Sequence, residues 1–128
     1  MKRYVNLMAG DPAPVFIQRS ISKPRFAFNT AGGRYLVLCF YGTAKDESVR
    51  AAIAAVKAWD TVFDDQFAAF FGISVDPEDV AQNRISESAT GYRHFLDYDL
   101  SVSRQYGAVD LNAELNGSAL TYRRFWVV

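Results

Sequence analysis

The chain has 128 residues, half of them hydrophobic and 15% aromatic, which is enough for one domain, or part of one, with a real core. Its 14 basic and 14 acidic residues cancel, removing the electrostatic case for nucleic acid or an anionic membrane as partner. A single cysteine and a single histidine exclude an internal disulfide, a CxxC metal knuckle or redox pair, and a 2-His-1-carboxylate iron site. No apolar run is long enough to cross a bilayer, and the N-terminus lacks a sustained apolar stretch, so no signal peptide is expected and a cytoplasmic location is.

Gly10-Asp11-Pro12-Ala13-Pro14 is turn-rich, and its two prolines keep it out of helix. Val15-Phe16-Ile17-Gln18 reads as a short edge strand and Arg25-Phe26-Ala27-Phe28 as another, with turns at Ser22-Lys23-Pro24 and over residues 29–33. Tyr35 to Tyr41 is an uninterrupted apolar and aromatic run, the signature of a strand buried on both faces at the centre of a sheet. A short polar loop follows, then a helix capped by Asp46 or Ser48. Its apolar stripe is Val49, Ala52, Ile53, Val56, Trp59 and Phe63, and the alanine-rich stretch over residues 51–55 suits close approach to a sheet. Phe70 to Val75 is a second inner strand. Asp76-Pro77-Glu78-Asp79 is a helix start, with Asp76 as cap and Asp79 favourable to the dipole, and the helix is expected to run to about Ser88. His94-Phe95-Leu96-Asp97 reads as a short strand, and Leu100 to Tyr106 as a short helix stopped by Gly107. Residues 108–121 read as loop with a tight turn at Asn116-Gly117, and Tyr122 to Val128 as a final strand. The order β-β-β-α-β-α-β-α-β implies an α/β fold with parallel central strands and right-handed crossovers. The last strong strand runs to Val128, and the polypeptide is expected to continue beyond it.

Several segments in this order resemble the peroxiredoxin family, the alkyl hydroperoxide reductase and thiol-specific antioxidant group. Gly10-Asp11-Pro12-Ala13-Pro14-Val15-Phe16 is similar to the family's opening motif, Val37-Leu38-Cys39-Phe40-Tyr41 to its central strand, and Phe71-Gly72-Ile73-Ser74-Val75-Asp76 to its next strand. Ser103 to Ala108 and Arg124 to Val128 resemble the helix end and the arginine-led strand that follow. The resemblance implies a thioredoxin-like fold, a central mixed sheet flanked by helices, forming a single domain over residues 1–128 that is truncated at its C-terminus because the family's closing strand and helix have no counterpart here. It also implies a reaction. In the family a Pro-x-x-x-Thr-x-x-Cys motif and a distant arginine act together: the cysteine thiolate attacks the terminal peroxide oxygen, the threonine and backbone amides polarise the peroxide, and the arginine lowers the thiol pKa. Here the proline position is Gly42, the threonine position is Asp46 and the cysteine position is Val49, and only Arg124 is retained, with Arg123 beside it.

These departures predict a peroxiredoxin-like domain lacking the peroxidatic cysteine, with a relic pocket around Gly42, Thr43, Asp46, Val49 and Arg124 and no catalytic residue. Such a domain is a non-catalytic scaffold, docking or regulatory module, not an enzyme in its own right. The resemblance, to cysteine-free versions joined in bacteria to iron- and 2-oxoglutarate-dependent dioxygenase-like domains, further implies a C-terminal domain or protein partner. The surplus of aromatic residues suggests an interface, possible also within a homo-oligomer. One alternative is an antioxidant oxidoreductase, a thiol-dependent peroxidase using Cys39, the only thiol; its mid-strand position marks it first as a small buried hydrophobe. Another is a small anion-binding domain using the relic pocket. His94, with Asp97 or Asp99, reads as surface or strand-end polar structure, and Asp76, Glu78 and Asp79 as helix capping rather than a metal cluster. With no glycine-rich phosphate loop, neither a cofactor nor a metal is expected.

Overall fold

The computed structural model describes residues 3–87, 91–111 and 122–128. The elements are β1 (Ile17–Gln18), β2 (Phe26–Ala27), β3 (Tyr35–Gly42), α1 (Glu47–Lys57), β4 (Ala68–Ser74), α2 (Glu78–Ala81), β5 (Tyr92–Leu96), α3 (Ser101–Gln105) and β6 (Phe125–Val127). A 3-10 segment, Phe28–Ala31, spans the expected end of the second strand and the start of the expected turn. β1 and β2 form a small antiparallel pair. The main sheet has the order β5-β4-β3-β6, with β3 parallel to β4, β4 parallel to β5, and β6 antiparallel to β3. The long apolar run is therefore an inner strand, as its composition requires, and the mixed sheet flanked by helices is a thioredoxin-like α/β fold.

One face of the sheet is dominated by aromatic rings. Phe71 and Phe95 stack at 5.3 Å, and Phe16, Phe26 and Phe28 close over them from the N-terminal strand pair. Phe40 stacks on Phe125 at 4.8 Å, which holds β6 against β3. Edge-to-face and offset contacts of this kind suit the ring quadrupole and add to the burial itself. The other face carries Cys39, Tyr41, Phe70 and Tyr92, covered by Val49 and Ile53 of α1.

Two helices are shorter than the sequence pattern suggests. α1 ends at Lys57, so Trp59 lies beyond it and is 62% exposed instead of completing the apolar stripe. α2 is a single turn that stops at Ala81, well short of residue 88, and Asn83 has a left-handed φ of 55° that no continuing helix allows. The expected turn at Asn116-Gly117 lies outside the described residues.

The carboxylates at the start of α2 are also placed differently. Asp76 does accept from the Glu78 amide, as a cap should. Asp79 is not a solvated dipole partner but wholly buried. Its oxygens accept from the Ala44 amide at 3.0 Å, the Ser74 hydroxyl at 2.8 Å and Arg84 at 3.2 Å. It is a tether between α2, the end of β4 and the turn before α1. His94 corrects a second expectation: it is fully buried rather than at the surface or a strand end. Its Nδ1 meets the Tyr41 hydroxyl at 2.9 Å, and its Nε2 has no partner. Burial, reinforced by the positive charge of Lys57, pushes the imidazole down to about 3.

These two buried groups give measurable consequences. Asp79→Ala orphans the Ala44 amide and the Arg84 guanidinium, and the expected loss in urea denaturation is about 3–5 kcal/mol, against the roughly 0.3–1 kcal/mol of a dipole contact. His94 is neutral in the folded state, while the unfolded chain binds a proton near the usual value of 6.5. The folded state is therefore favoured above that pH and loses stability below it, by up to about 1.4 kcal/mol per pH unit. Urea midpoints taken from about pH 7 to 5 should fall for the native chain and flatten in His94→Gln.

Candidate functional site

The C-terminal end of β3 runs into a turn over residues 43–46 and then into α1. Gly42 makes the bend possible: its φ is +79°, and the Tyr122 ring lies 3.0 Å from where a Cβ would stand. A proline, held near −65°, cannot adopt that backbone, so the glycine at the family's proline position belongs to a different local path. Thr43 is committed to the turn, donating to Asp76 Oδ2 at 2.7 Å and accepting the Lys45 amide at 3.1 Å. Arg50 donates to the carbonyls of Ala44 and Lys45 and closes the loop from the helix side.

Asp46 is the N-cap of α1. Its Oδ1 accepts from the Ser48 amide at 3.1 Å and the Ser48 hydroxyl at 2.9 Å, and its Oδ2 receives Arg124 at 3.0 Å. The Ser48 contacts first, and Arg124 after them, hold its carboxyl below the usual range. Arg124 is thus matched by a carboxylate, which removes the free cation that an anion-binding pocket would need. Arg123 is directed elsewhere and lies over the Tyr4 ring at 4.6 Å.

Between α1 and β6 is a cavity of about 160 Å³. Its floor is Cys39, Phe40 and Tyr41 of β3. One wall is Ser48, Val49 and Ala52 of α1, and the other is Arg124, Phe125 and Trp126. Strand register explains the floor: Cys39 lies opposite Trp126 on β6 and opposite Gly72 on β4. Gly72 in turn pairs with His94, and a Cβ on it would meet His94 Nδ1 at 2.5 Å and Tyr41 Cε2 at 2.8 Å. The missing side chain lets those two rings meet over β4, beside the thiol. Cys39 itself is 6% exposed. Its burial pushes the thiol up to about 12, so it is a neutral S–H near pH 7.

Of the residues expected in a relic pocket, Val49 and Arg124 line the cavity, Asp46 bridges its mouth, and Gly42 and Thr43 build the turn behind it. The pocket was expected to hold no thiol. That is corrected: Val49 occupies the motif position, but Cys39, ten residues earlier, forms part of the floor of the same cavity. Ser48 and Ala52 were expected only as a cap and as part of the helix stripe, and Phe125 and Trp126 only as strand residues, not as lining of a pocket. The register opposite Cys39 and the helix face shared with Val49 are the signals that select them. Among the described residues no cluster of three or more His, Cys, Asp or Glu side chains could hold a metal, and no helix is long and apolar enough to cross a membrane.

Comparison with known proteins places this geometry. The AhpC/TSA family profile matches residues 9–128. No match is found among curated protein sequences. Among solved structures, the chain is similar to the yeast mitochondrial 1-Cys peroxiredoxin, at 19% identity and a TM-score of 0.76, over 94% of this chain and 61% of that one. It is also similar to peroxiredoxin Q of Xanthomonas campestris, at 17% identity and a TM-score of 0.67, over 88% of this chain and 72% of that one. A third is the peroxidoxin BcpB of Mycobacterium tuberculosis, at 21% identity and a TM-score of 0.69, over 90% of this chain and 73% of that one. The chain thus spans less than two thirds of the yeast protein's length. These likenesses, with a thiol on the floor of the cavity, overturn the expectation of a non-catalytic scaffold, docking or regulatory module and of a chain that is not an enzyme. With its profile matched over nearly the whole length and its thioredoxin-like fold, the chain belongs to the AhpC/TSA family.

Proposed function

We propose that this chain is a thiol-dependent peroxidase whose nucleophile is Cys39. The observation that carries the reading is the placement of the one thiol on the floor of the cavity between α1 and β6, with Arg124 at its edge. The likeness to three proteins described as peroxiredoxins or a peroxidoxin supports it.

In this reading the Cys39 thiolate attacks the terminal oxygen of a hydroperoxide. The S–O bond forms, the O–O bond breaks, and the leaving alkoxide takes a proton to depart as an alcohol. The sulfur is oxidised to a sulfenic acid and the peroxide is reduced. With one cysteine in the chain, no second thiol of its own resolves that sulfenic acid. An external thiol condenses with it, releasing water and leaving a mixed disulfide, and a second thiol frees Cys39. The yeast relative is described as using glutathione and thioredoxin systems for its resolving step, and a thiol reductant of that class suits this scheme.

The side-chain surroundings set the rate. Only the thiolate is the nucleophile, and a thiol at about 12 is ionised to roughly one part in 10⁵ at pH 7. Val49 supplies no hydrogen bond, and Arg124 is engaged by Asp46. Turnover is therefore slow at neutral pH and climbs about tenfold per pH unit, for as long as the fold persists.

Steady-state peroxide consumption by the purified chain with a thiol reductant tests this, with Cys39→Ser beside it. The expected result is turnover above the reductant alone, rising steeply between about pH 7 and 9 and abolished in the variant. Equal rates for the two proteins at every pH would remove Cys39 from the reaction and sink the reading.

A further inference from the structure

At the edge of the Cys39 cavity a charge pair joins the elements that form its two walls. Asp46 caps α1 on one side, and Arg124 leads into β6 on the other. Their side chains meet at 3.0 Å while remaining 43% and 47% exposed. Ser48, bonded to the same carboxylate, and Arg124 both line the cavity, so the pair stands at the lip and not at a distance. The remaining lining is Cys39, Val49, Ala52 and aromatic rings.

A lone guanidinium at the rim of an apolar pocket would concentrate anions there and draw them toward the thiol. Asp46 cancels that field at contact distance. Its Oδ1 is held by the Ser48 amide and hydroxyl, which orients Oδ2 toward Arg124. From this juxtaposition we propose that Asp46 is a specificity-determining residue: by occupying Arg124 it makes the thiol pocket accept neutral, apolar reactants and turn away anionic ones. The inference rests on the peroxidase reading for the identity of the reactant, a neutral organic hydroperoxide in preference to one bearing a carboxylate. The selectivity itself is a property of the pocket and can be read without peroxide.

The test uses the full chain and two thiol reagents of similar size, neutral iodoacetamide and anionic iodoacetate. Second-order rates of Cys39 alkylation are measured at about pH 9.5, where more of the thiol is ionised, at low ionic strength. Asp46→Asn removes the charge but keeps a capping oxygen for α1, and circular dichroism with urea unfolding reports that the fold is retained. The native chain should favour iodoacetamide, and Asp46→Asn should shrink that preference about three- to tenfold. The gain should fade toward about 1 M salt and be reversed when Arg124→Gln is added. A preference that moves less than about twofold in Asp46→Asn overturns the proposal. Absence of native-state labelling by both reagents overturns it too, because the pocket would then admit neither. Peroxide consumption measured alongside reports on the peroxidase reading alone: its failure with an intact shift in reagent preference separates the two.

Discussion

A buried carboxylate holds the site together. Asp79 is wholly removed from solvent, and burying a charge costs several kcal/mol unless it is met by donors. Here it is met by the Ala44 amide, the Ser74 hydroxyl and the Arg84 guanidinium. Those partners belong to the turn after β3, to the end of β4 and to the segment after α2. Satisfying one charge thus fixes the relative position of three chain segments. α1 grows directly out of the turn that Asp79 holds, so the wall formed by Ser48, Val49 and Ala52 is set by a residue that lines no part of the cavity.

The cavity combines two features that pull against each other. Enclosure by α1, β6 and the sheet gives the thiol a largely apolar environment. The same enclosure stabilises the neutral thiol and suppresses the reactive anion. In the family pattern a cysteine at a helix start escapes this conflict, because helix amides and a free arginine favour the thiolate. Cys39 sits within a strand, and the arginine here is matched by Asp46. The surroundings thus hold the thiol in its neutral form.

The row Trp126, Cys39, Gly72, His94 runs across the sheet from edge to edge. Its only gap is Gly72, and that gap is filled by the imidazole and the Tyr41 ring. A side chain at Gly72 would displace both, so the glycine matters for packing rather than for backbone freedom. The neutral, partly unpartnered His94 that results ties the stability of this region to pH.

Much of the architecture was legible from sequence because it depends on local patterns. The uninterrupted apolar run from Tyr35 to Tyr41 could only be an inner strand, the stripe on α1 needed a sheet to cover, and Asp46 was a cap by its chemistry. The family motifs, read in order, pointed to the thioredoxin-like layout, and the substitutions at Gly42, Asp46 and Val49 were visible as departures. The length of α2 was not legible, because a good start signal says nothing about whether later residues find a surface to pack on. Nor was the fate of the polar residues. Asp79 and His94 are buried because strands and turns distant in the chain supply their partners. Cys39 shares a cavity with Val49 and Trp126 because cross-strand register, not spacing along the chain, decides which side chains meet. The sequence by itself determined the periodicities, the caps and the chemical groups available. Only the tertiary structure decided which of those groups are desolvated and which face one another, since burial and pairing depend on residues far apart in the chain.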